Sequence, residues 1–185
     1  MIDDIVRDTR QHMDKSIEAL RHDLSAIRTG RASPALLDRI AVEYYGTPTP
    51  INQLALVSVP EARILAIKPY DRTAMNAIEK AILKSDLGLT PTNDGQIIRL
   101  VLPQLTEQRR RELVKQSQRR VEEAKVSVRN IRRDAIKDMQ DAEKEDLITE
   151  DDLEDGKEQI QKLIDKVTEQ IEAIGKAKEA EIMEV

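Results

Sequence analysis

The chain has 185 residues, 39% of them hydrophobic and 35% charged, with a net charge of −5. It has no Cys, Phe or Trp, and its only aromatic residues are Tyr44, Tyr45 and Tyr70, so a disulfide framework and a thiolate metal site are excluded and the core must be aliphatic. The N-terminus shows no basic and apolar leader pattern, and no apolar run approaches the roughly 20 residues that span a bilayer, so a cytoplasmic protein without membrane contact is expected.

From the start of the chain, Ile2, Val6, Thr9, Met13, Ile17, Leu20, Leu24 and Ile27 alternate steps of four and three, with one exception. This is the seam of a long helix. Gly30, followed closely by Pro34, predicts that the helix stops at Thr29-Gly30. The pattern then changes. Residues 39–45 and 54–59 are short and rich in β-branched or aromatic side chains and read as strands, and Gly46-Thr47-Pro48-Thr49-Pro50 between them reads as a turn or rigid loop. Another strand is expected over 63–67. Asp71 caps a helix expected to reach Leu87 and to end at Gly88, with Met75, Ile78, Ile82 and Leu83 as its apolar stripe. A last strand covers 96–102, closed by Pro103.

A second heptad helix is expected from Leu105 to about Asp146, with Val114, Ser117, Val121, Ala124, Val128, Ile131, Ala135 and Ala142 as its seam. Residues 138–158 carry eleven acidic against two basic side chains, partly because Thr149 is a good N-cap and Glu150, Asp151 and Asp152 suit a first helical turn. The third helix follows, with Leu153, Ile160, Leu163, Ile164, Val167, Ile171, Ile174 and Ile182 as its seam and Gly175 alone expected as a glycine in its interior. Three single-sided seams bury one another most simply in an intramolecular bundle. The fold class is therefore α+β: a long three-helix bundle of residues 1–29 and 106–185 with a small β/α/β domain, 31–104, inserted. The two connections, Thr29-Gly30-Arg31 and Leu102-Pro103-Gln104-Leu105, leave one end of the bundle. They predict an elongated, L-like molecule hinged at 29–31 and 102–105.

Catalytic constellations are absent from the pattern. His12 and His22 lie ten residues apart on the first helix, no Gly-rich phosphate loop occurs, and the carboxylates fall almost entirely on polar helical faces, so neither an enzyme nor a cofactor is expected. The unusual feature is basic. Between 107 and 137 eleven cations face five anions, against the sign of the whole chain. On a helical wheel Arg111, Lys115, Arg119, Arg129, Arg133 and Lys137 share one outward side, with Lys125 and Arg132 at its edge. One reading is a solvated face paired with the acidic segment. The other is phosphate binding, favoured by the dominance of arginine, whose planar fork grips phosphate bidentately. With no aromatic nearby for base stacking, a folded RNA or a duplex is the better target.

Several runs together resemble the ribosome recycling factor family: Ile27-Arg28-Thr29-Gly30-Arg31-Ala32-Ser33-Pro34, Val42-Glu43-Tyr44-Tyr45-Gly46-Thr47-Pro48, Ser85-Asp86-Leu87-Gly88-Leu89, Leu105-Thr106-Glu107 with Arg109-Arg110, Val128-Arg129-Asn130-Ile131-Arg132-Arg133-Asp134, and Lys178-Glu179-Ala180-Glu181. The resemblance implies an L shape that mimics tRNA in outline. It also implies a bacterial or organellar factor that acts with elongation factor G after peptide release and splits the ribosome into subunits, with GTP hydrolysed by the partner. The positions matching Arg129, Arg132 and Arg133 face large-subunit ribosomal RNA in that family, and Lys125 stands where arginine is common. With Arg28 and Arg31 they make the candidate RNA-binding set. The expected partners are the large ribosomal subunit, its RNA and elongation factor G, and the chain is expected to be a monomer. The competing reading is a helical scaffold that pairs with other chains through its heptad seams.

Overall fold

The computed structural model describes residues 1–184 and resolves the pattern into α1 (Ile2–Ser25), β1 (Ala41–Tyr44), β2 (Thr47–Pro50), α2 (Ile51–Leu54), β3 (Ala55–Glu61), β4 (Ile64–Pro69), α3 (Met75–Lys84), β5 (Thr92–Asn93), β6 (Ile98–Val101), α4 (Glu107–Lys144) and α5 (Glu150–Met183). The chain divides into two units. One holds Met1–Thr29 and the chain from Thr106 onward; the other is Gly30–Leu105.

In the helical unit α1, α4 and α5 each pack on the other two, so the seams are buried on one another within a single chain. The 38 residues of α4 make a rod of about 57 Å at 1.5 Å per residue. Met13, Met139, Ile160, Ile171 and Ile182 are fully buried along this core. Burial of a side chain of that size contributes about 1.5–3 kcal/mol. Small residues set how closely the rods approach: Ser117, Ala124, Ala135 and Ala142 on α4, and Gly156 and Gly175 on α5, are all buried. Gly156 joins Gly175 as a second glycine inside the third helix, which the sequence reading had not recognised.

The helix ends follow capping chemistry. The Thr106 hydroxyl accepts from Arg109 N–H at 3.1 Å at the start of α4. At α5 a reciprocal capping box forms, Thr149 Oγ1 accepting from Asp152 N–H at 3.1 Å and Asp152 Oδ2 from Thr149 N–H at 2.9 Å. Between them Asp146 takes a positive φ of 57°, and Leu147 N–H reaches back to the Ala142 carbonyl while Asp146 N–H reaches that of Glu143. This is a Schellman turn with aspartate in the left-handed position. It closes α4 two residues before the expected end.

Three expectations for the helices need correction. α1 ends at Ser25, not at Thr29: the Ser25 hydroxyl turns back to the His22 carbonyl at 2.7 Å, and Ile27 is buried beyond the helix rather than within it. On α4 the buried residue of the first turns is Leu113, with Val114 half-buried, and Met139 fills the seam between Ala135 and Ala142 where no residue was expected. Val121 and Ile131 on α4, and Leu163 and Ile174 on α5, lie at the seam's edge, half-buried.

The smaller unit holds an antiparallel four-stranded sheet in the order β3-β4-β6-β5 and a separate two-stranded ribbon, β1-β2. Leu65, Ile67, Ile98 and Leu100 from the sheet, Ile78 and Ile82 from α3 and Val42 from the ribbon meet in its core. The segment 46–50, expected as a loop, is largely strand: β2 pairs with β1 with Pro48 opposite Glu43 and Pro50 opposite Ala41. The prolines alternate with Thr47 and Thr49, and in a two-stranded ribbon their missing N–H groups fall on the outer edge, where no partner strand needs them. Tyr45 and Gly46, with φ of 49° and 76°, form the two-residue turn. α3 begins at Met75 after a short 3-10 turn capped by Asp71, whose Oδ1 accepts from Thr73 N–H at 2.9 Å, and it stops at Lys84 rather than Leu87. The Ser85 hydroxyl ends it by turning back to the Ile82 carbonyl at 2.5 Å. Leu83, assigned to the apolar stripe, is 59% exposed. The short elements α2 and β5 were not anticipated; at four and two residues they are too brief to show a period.

Candidate nucleic-acid interface

The basic face of α4 exists because the helix buries only one side. Heptad spacing turns Leu113, Ser117, Ala124, Val128, Ala135, Met139 and Ala142 inward, and Arg111, Lys115, Arg119, Arg129, Arg132, Arg133 and Lys137 all remain exposed. Lys125, Arg129, Arg132 and Arg133 stand at spacings of four, seven and eight residues, which one helical face brings together.

Their electrostatic states differ. Arg129 Nη2 donates to Glu122 Oε1 at 2.9 Å, across seven residues of the same helix. Lys125, the least exposed of the four at 27%, donates from Nζ to Glu172 Oε1 of α5 at 3.2 Å. Arg133 Nε stands 3.9 Å from Asp134 Oδ1, an ion pair without a hydrogen bond. Arg132 has no acidic partner among the described residues. Towards the start of α4, Arg111 pairs with Glu107 at 2.5 Å, Arg109 with Glu112 at 3.0 Å and Arg120 with Glu123 at 3.1 Å. The anions of the stripe are therefore mostly consumed locally. Within the cluster of Lys125, Arg129, Arg132 and Arg133, Arg132 is the cation left for an outside anion; along the rest of the stripe, among the described residues, no ion pair holds Lys115, Arg119 or Lys137 either.

The other candidates are not gathered with these. Arg28 lies in the non-helical stretch after α1, exposed, and its neighbour Ile27 is held by Lys178 near the end of α5. Gly175 of α5 faces Val121 of α4, so this level lies roughly 20 Å along the bundle axis from Arg132 at 1.5 Å per residue. Arg31 is exposed and belongs to the other unit.

At the connections, Thr29 is half-buried and its hydroxyl donates to Glu181 Oε1 at 3.1 Å. Gly30 takes φ of 74°, and a β-carbon there would stand 3.3 Å from the Pro103 carbonyl oxygen and 3.4 Å from Leu105 Cγ. Sequence reasoning missed Glu122 as the partner of Arg129, Glu172 as the partner of Lys125 and Glu181 as the partner of Thr29. Glu122 could have been found from its spacing of seven from Arg129; the other two are distant in sequence and leave no local signal. His12 and His22 are exposed on α1. Among the described residues, no group of three or more His, Asp or Glu side chains is placed to hold a metal ion, and no helix is long and apolar enough to cross a membrane.

Comparison with known proteins supplies a family. The family described as ribosome recycling factor matches residues 20–183. The chain is similar to the ribosome-recycling factors of Syntrophomonas wolfei, 58% identical, and Heliobacterium modesticaldum, 56% identical, each over 185 residues and the full length of both chains. Among solved structures it is similar to a ribosome recycling factor determined in solution, with a TM-score of 0.73 and 44% identity over 100% of this chain and 98% of the other. It is also similar to a chain from a description of the T. thermophilus ribosome recycling factor and the E. coli elongation factor G bound to the E. coli post-termination complex. That TM-score is 0.63, at 42% identity over the whole of both chains.

Proposed function

The chain belongs to the ribosome recycling factor family, and from that premise we propose a non-catalytic translation factor that binds large-subunit ribosomal RNA through its helical unit once the peptide is released. Elongation factor G, with its GTP, then acts on the smaller unit and splits the ribosome into subunits for reuse. The observation that carries the RNA-binding part is Arg132, an exposed guanidinium with no acidic partner among the described residues, set between Arg129 and Arg133 on one face. A free planar fork can take a phosphate bidentately without first giving up an internal contact. The partner in the second step is supported by the related structure described with elongation factor G.

The splitting step needs the two units to move as bodies, and the connections 29–31 and 102–105 are where that motion would be absorbed. They are short, and they carry a left-handed glycine on one side and a proline on the other. A disulfide locking the units together should preserve binding to large subunits and abolish splitting.

Co-sedimentation with isolated large subunits across a salt series tests the interface. Affinity should fall with salt as counterions are released, with a log–log slope approaching about 0.9 per duplex phosphate neutralised and less on other nucleic acids. Arg132→Gln keeps helix propensity nearly constant and should weaken binding and flatten the slope. A folded Arg132→Gln protein with unchanged affinity and salt dependence would return the stripe to a merely solvated face.

A further inference from the structure

The chain has three aromatic residues, and two of them, Tyr44 and Tyr45, stand together at the tip of the β1-β2 ribbon. Tyr45 is not the residue that its turn prefers. It takes φ of 49°, a left-handed backbone that a bulky side chain rarely adopts, and the other central residue of the turn, Gly46, takes 76°. Two-residue turns with both central residues left-handed select Asn-Gly or Asp-Gly, because a short polar side chain tolerates that backbone and bonds to it locally. Tyrosine offers the turn neither advantage, and Tyr45 leaves 83% of its surface exposed. Strain kept at so exposed a position points to a contact outside the fold.

The tip holds that ring ready. Tyr45 packs on Tyr44 with ring centroids 4.5 Å apart and planes at 76°, the edge-to-face arrangement that aromatic pairs prefer. Tyr44 is itself fixed, its hydroxyl donating at 2.9 Å to Asp71 Oδ2, on the residue that caps the short turn leading into α3. Behind the tip, Pro48 and Pro50 lock φ along β2, which pairs over its whole length with β1. A β-carbon added at Gly46 would meet nothing within 4 Å, so the turn stands clear at this point. An aromatic ring presented on so stiff a support needs little ordering when it binds, which is what makes tyrosine an anchor in protein interfaces.

Such a ring can stack on a base or fill a pocket in a protein, and charge separates the two. Gly30–Leu105 carries eight basic and seven acidic residues, a net +1, and so lacks the cationic excess that marks the face of α4. Glu43, exposed two residues before Tyr45, and Asp71, bonded to Tyr44, are both anionic and would repel the phosphates that accompany a stacked base. We propose that Tyr45 is the anchor by which the smaller unit is gripped by elongation factor G, its ring seated in an apolar pocket of that protein, with Tyr44 as the positioning residue behind it. This rests on the proposed function, in which elongation factor G acts on the smaller unit, and adds the point at which it takes hold.

The test uses the full chain with Tyr45→Asn, which removes the ring and gives the turn a residue it prefers, and with Tyr45→Phe, which keeps the ring. The urea midpoint of Tyr45→Asn should equal or exceed that of the parent. Its binding to isolated large subunits and to post-termination ribosomes, measured without elongation factor G, should be unchanged. In splitting of post-termination ribosomes with GTP, followed by light scattering, the concentration of elongation factor G that gives half the maximal rate should rise about tenfold or more, while Tyr45→Phe stays near the parent. A lowered urea midpoint in Tyr45→Asn would show that the ring serves the ribbon and would overturn the anchor, and so would an unchanged dependence on elongation factor G. Weaker binding before elongation factor G is added would overturn it in favour of a contact with the ribosome itself. A parent chain that fails to split ribosomes with elongation factor G and GTP would bring down the proposed function and the anchor with it, a failure distinguished from the others because it appears before any substitution is made.

Discussion

Gly175 stands where α5 comes closest to Val121 of α4: a β-carbon added at 175 would lie 2.8 Å from Val121 Cγ2. Glycine inside a helix costs about 1 kcal/mol relative to alanine, so its presence here reflects the approach of two rods rather than local preference. Val121 is β-branched and stiff at χ1, so it cannot swing aside. Gly175→Ala should therefore destabilise the bundle by about 1–2 kcal/mol, overpacking outweighing the gain in propensity. In a Val121→Ala background the same substitution should become neutral or stabilising, a coupling measured by a double-mutant cycle in urea. A Gly175→Ala protein more stable than its parent would show that the rods can part at no cost.

Gly156 makes the contrasting case. A β-carbon there would meet Met139 Sδ at 2.8 Å and Ile2 Cδ1 at 3.2 Å, both far ends of side chains that can turn away. Gly156→Ala should change stability by less than about 1 kcal/mol in either direction and clearly less than Gly175→Ala, with urea midpoints as the measure.

The sequence made the bundle legible because a seam such as Met13, Ile17, Leu20 and Leu24 has a period that only a helix satisfies. It misplaced the end of α1 because Gly30 is a true left-handed position, but one belonging to the connection beyond, while the helix itself ends on Ser25 with no glycine. The ribbon was misread because a rule for proline in sheet interiors was applied to Pro48 and Pro50, which sit on an outer edge. The basic face could be read from one helix alone. Its pairing with another helix could not, since Glu172 lies 47 residues from Lys125, and the contact of Thr29 with Glu181, 152 residues away, was hidden for the same reason. Such contacts are set by how the helices fold back on one another.

Tyr44 gives the smaller unit a pH signature. Its hydroxyl donates to Asp71 Oδ2 at 2.9 Å, and that hydrogen bond, with some desolvation, raises the phenol above the usual tyrosine value near 10. Asp71 is held below the usual carboxylate range, first by its hydrogen bonds to Thr73 and then by Tyr44. A raised phenol contributes stability that is fully present below about pH 10 and is lost as pH climbs through the folded value. The depressed carboxyl contributes stability present above about pH 4 and lost as pH falls through its folded value. Tyr44→Phe should lower the urea midpoint at pH 7 and remove this alkaline loss above about pH 10. An identical alkaline slope in parent and variant would show that Tyr44 does not carry it.

The basic face yields the sharpest comparison, because its cations are not equally available. Arg129 is held by Glu122 at 2.9 Å, with both side chains about 60% exposed, while Arg132 has no such partner. An exposed pair of this kind is worth about 0.2–1 kcal/mol, and a phosphate that recruits Arg129 must give up that amount. Glu122→Gln should therefore strengthen binding to large subunits up to about fivefold at low salt, with the gain shrinking at higher ionic strength as screening weakens the competitor. The gain should vanish when Arg129→Gln is added, since no guanidinium remains to be released. It should persist when Arg132→Gln is added, because Arg132 binds independently of Glu122. Co-sedimentation of the parent, the three single variants and the two double variants at three salt concentrations decides the matter. A Glu122→Gln gain that survives Arg129→Gln would mean that Glu122 repels RNA directly rather than by occupying Arg129.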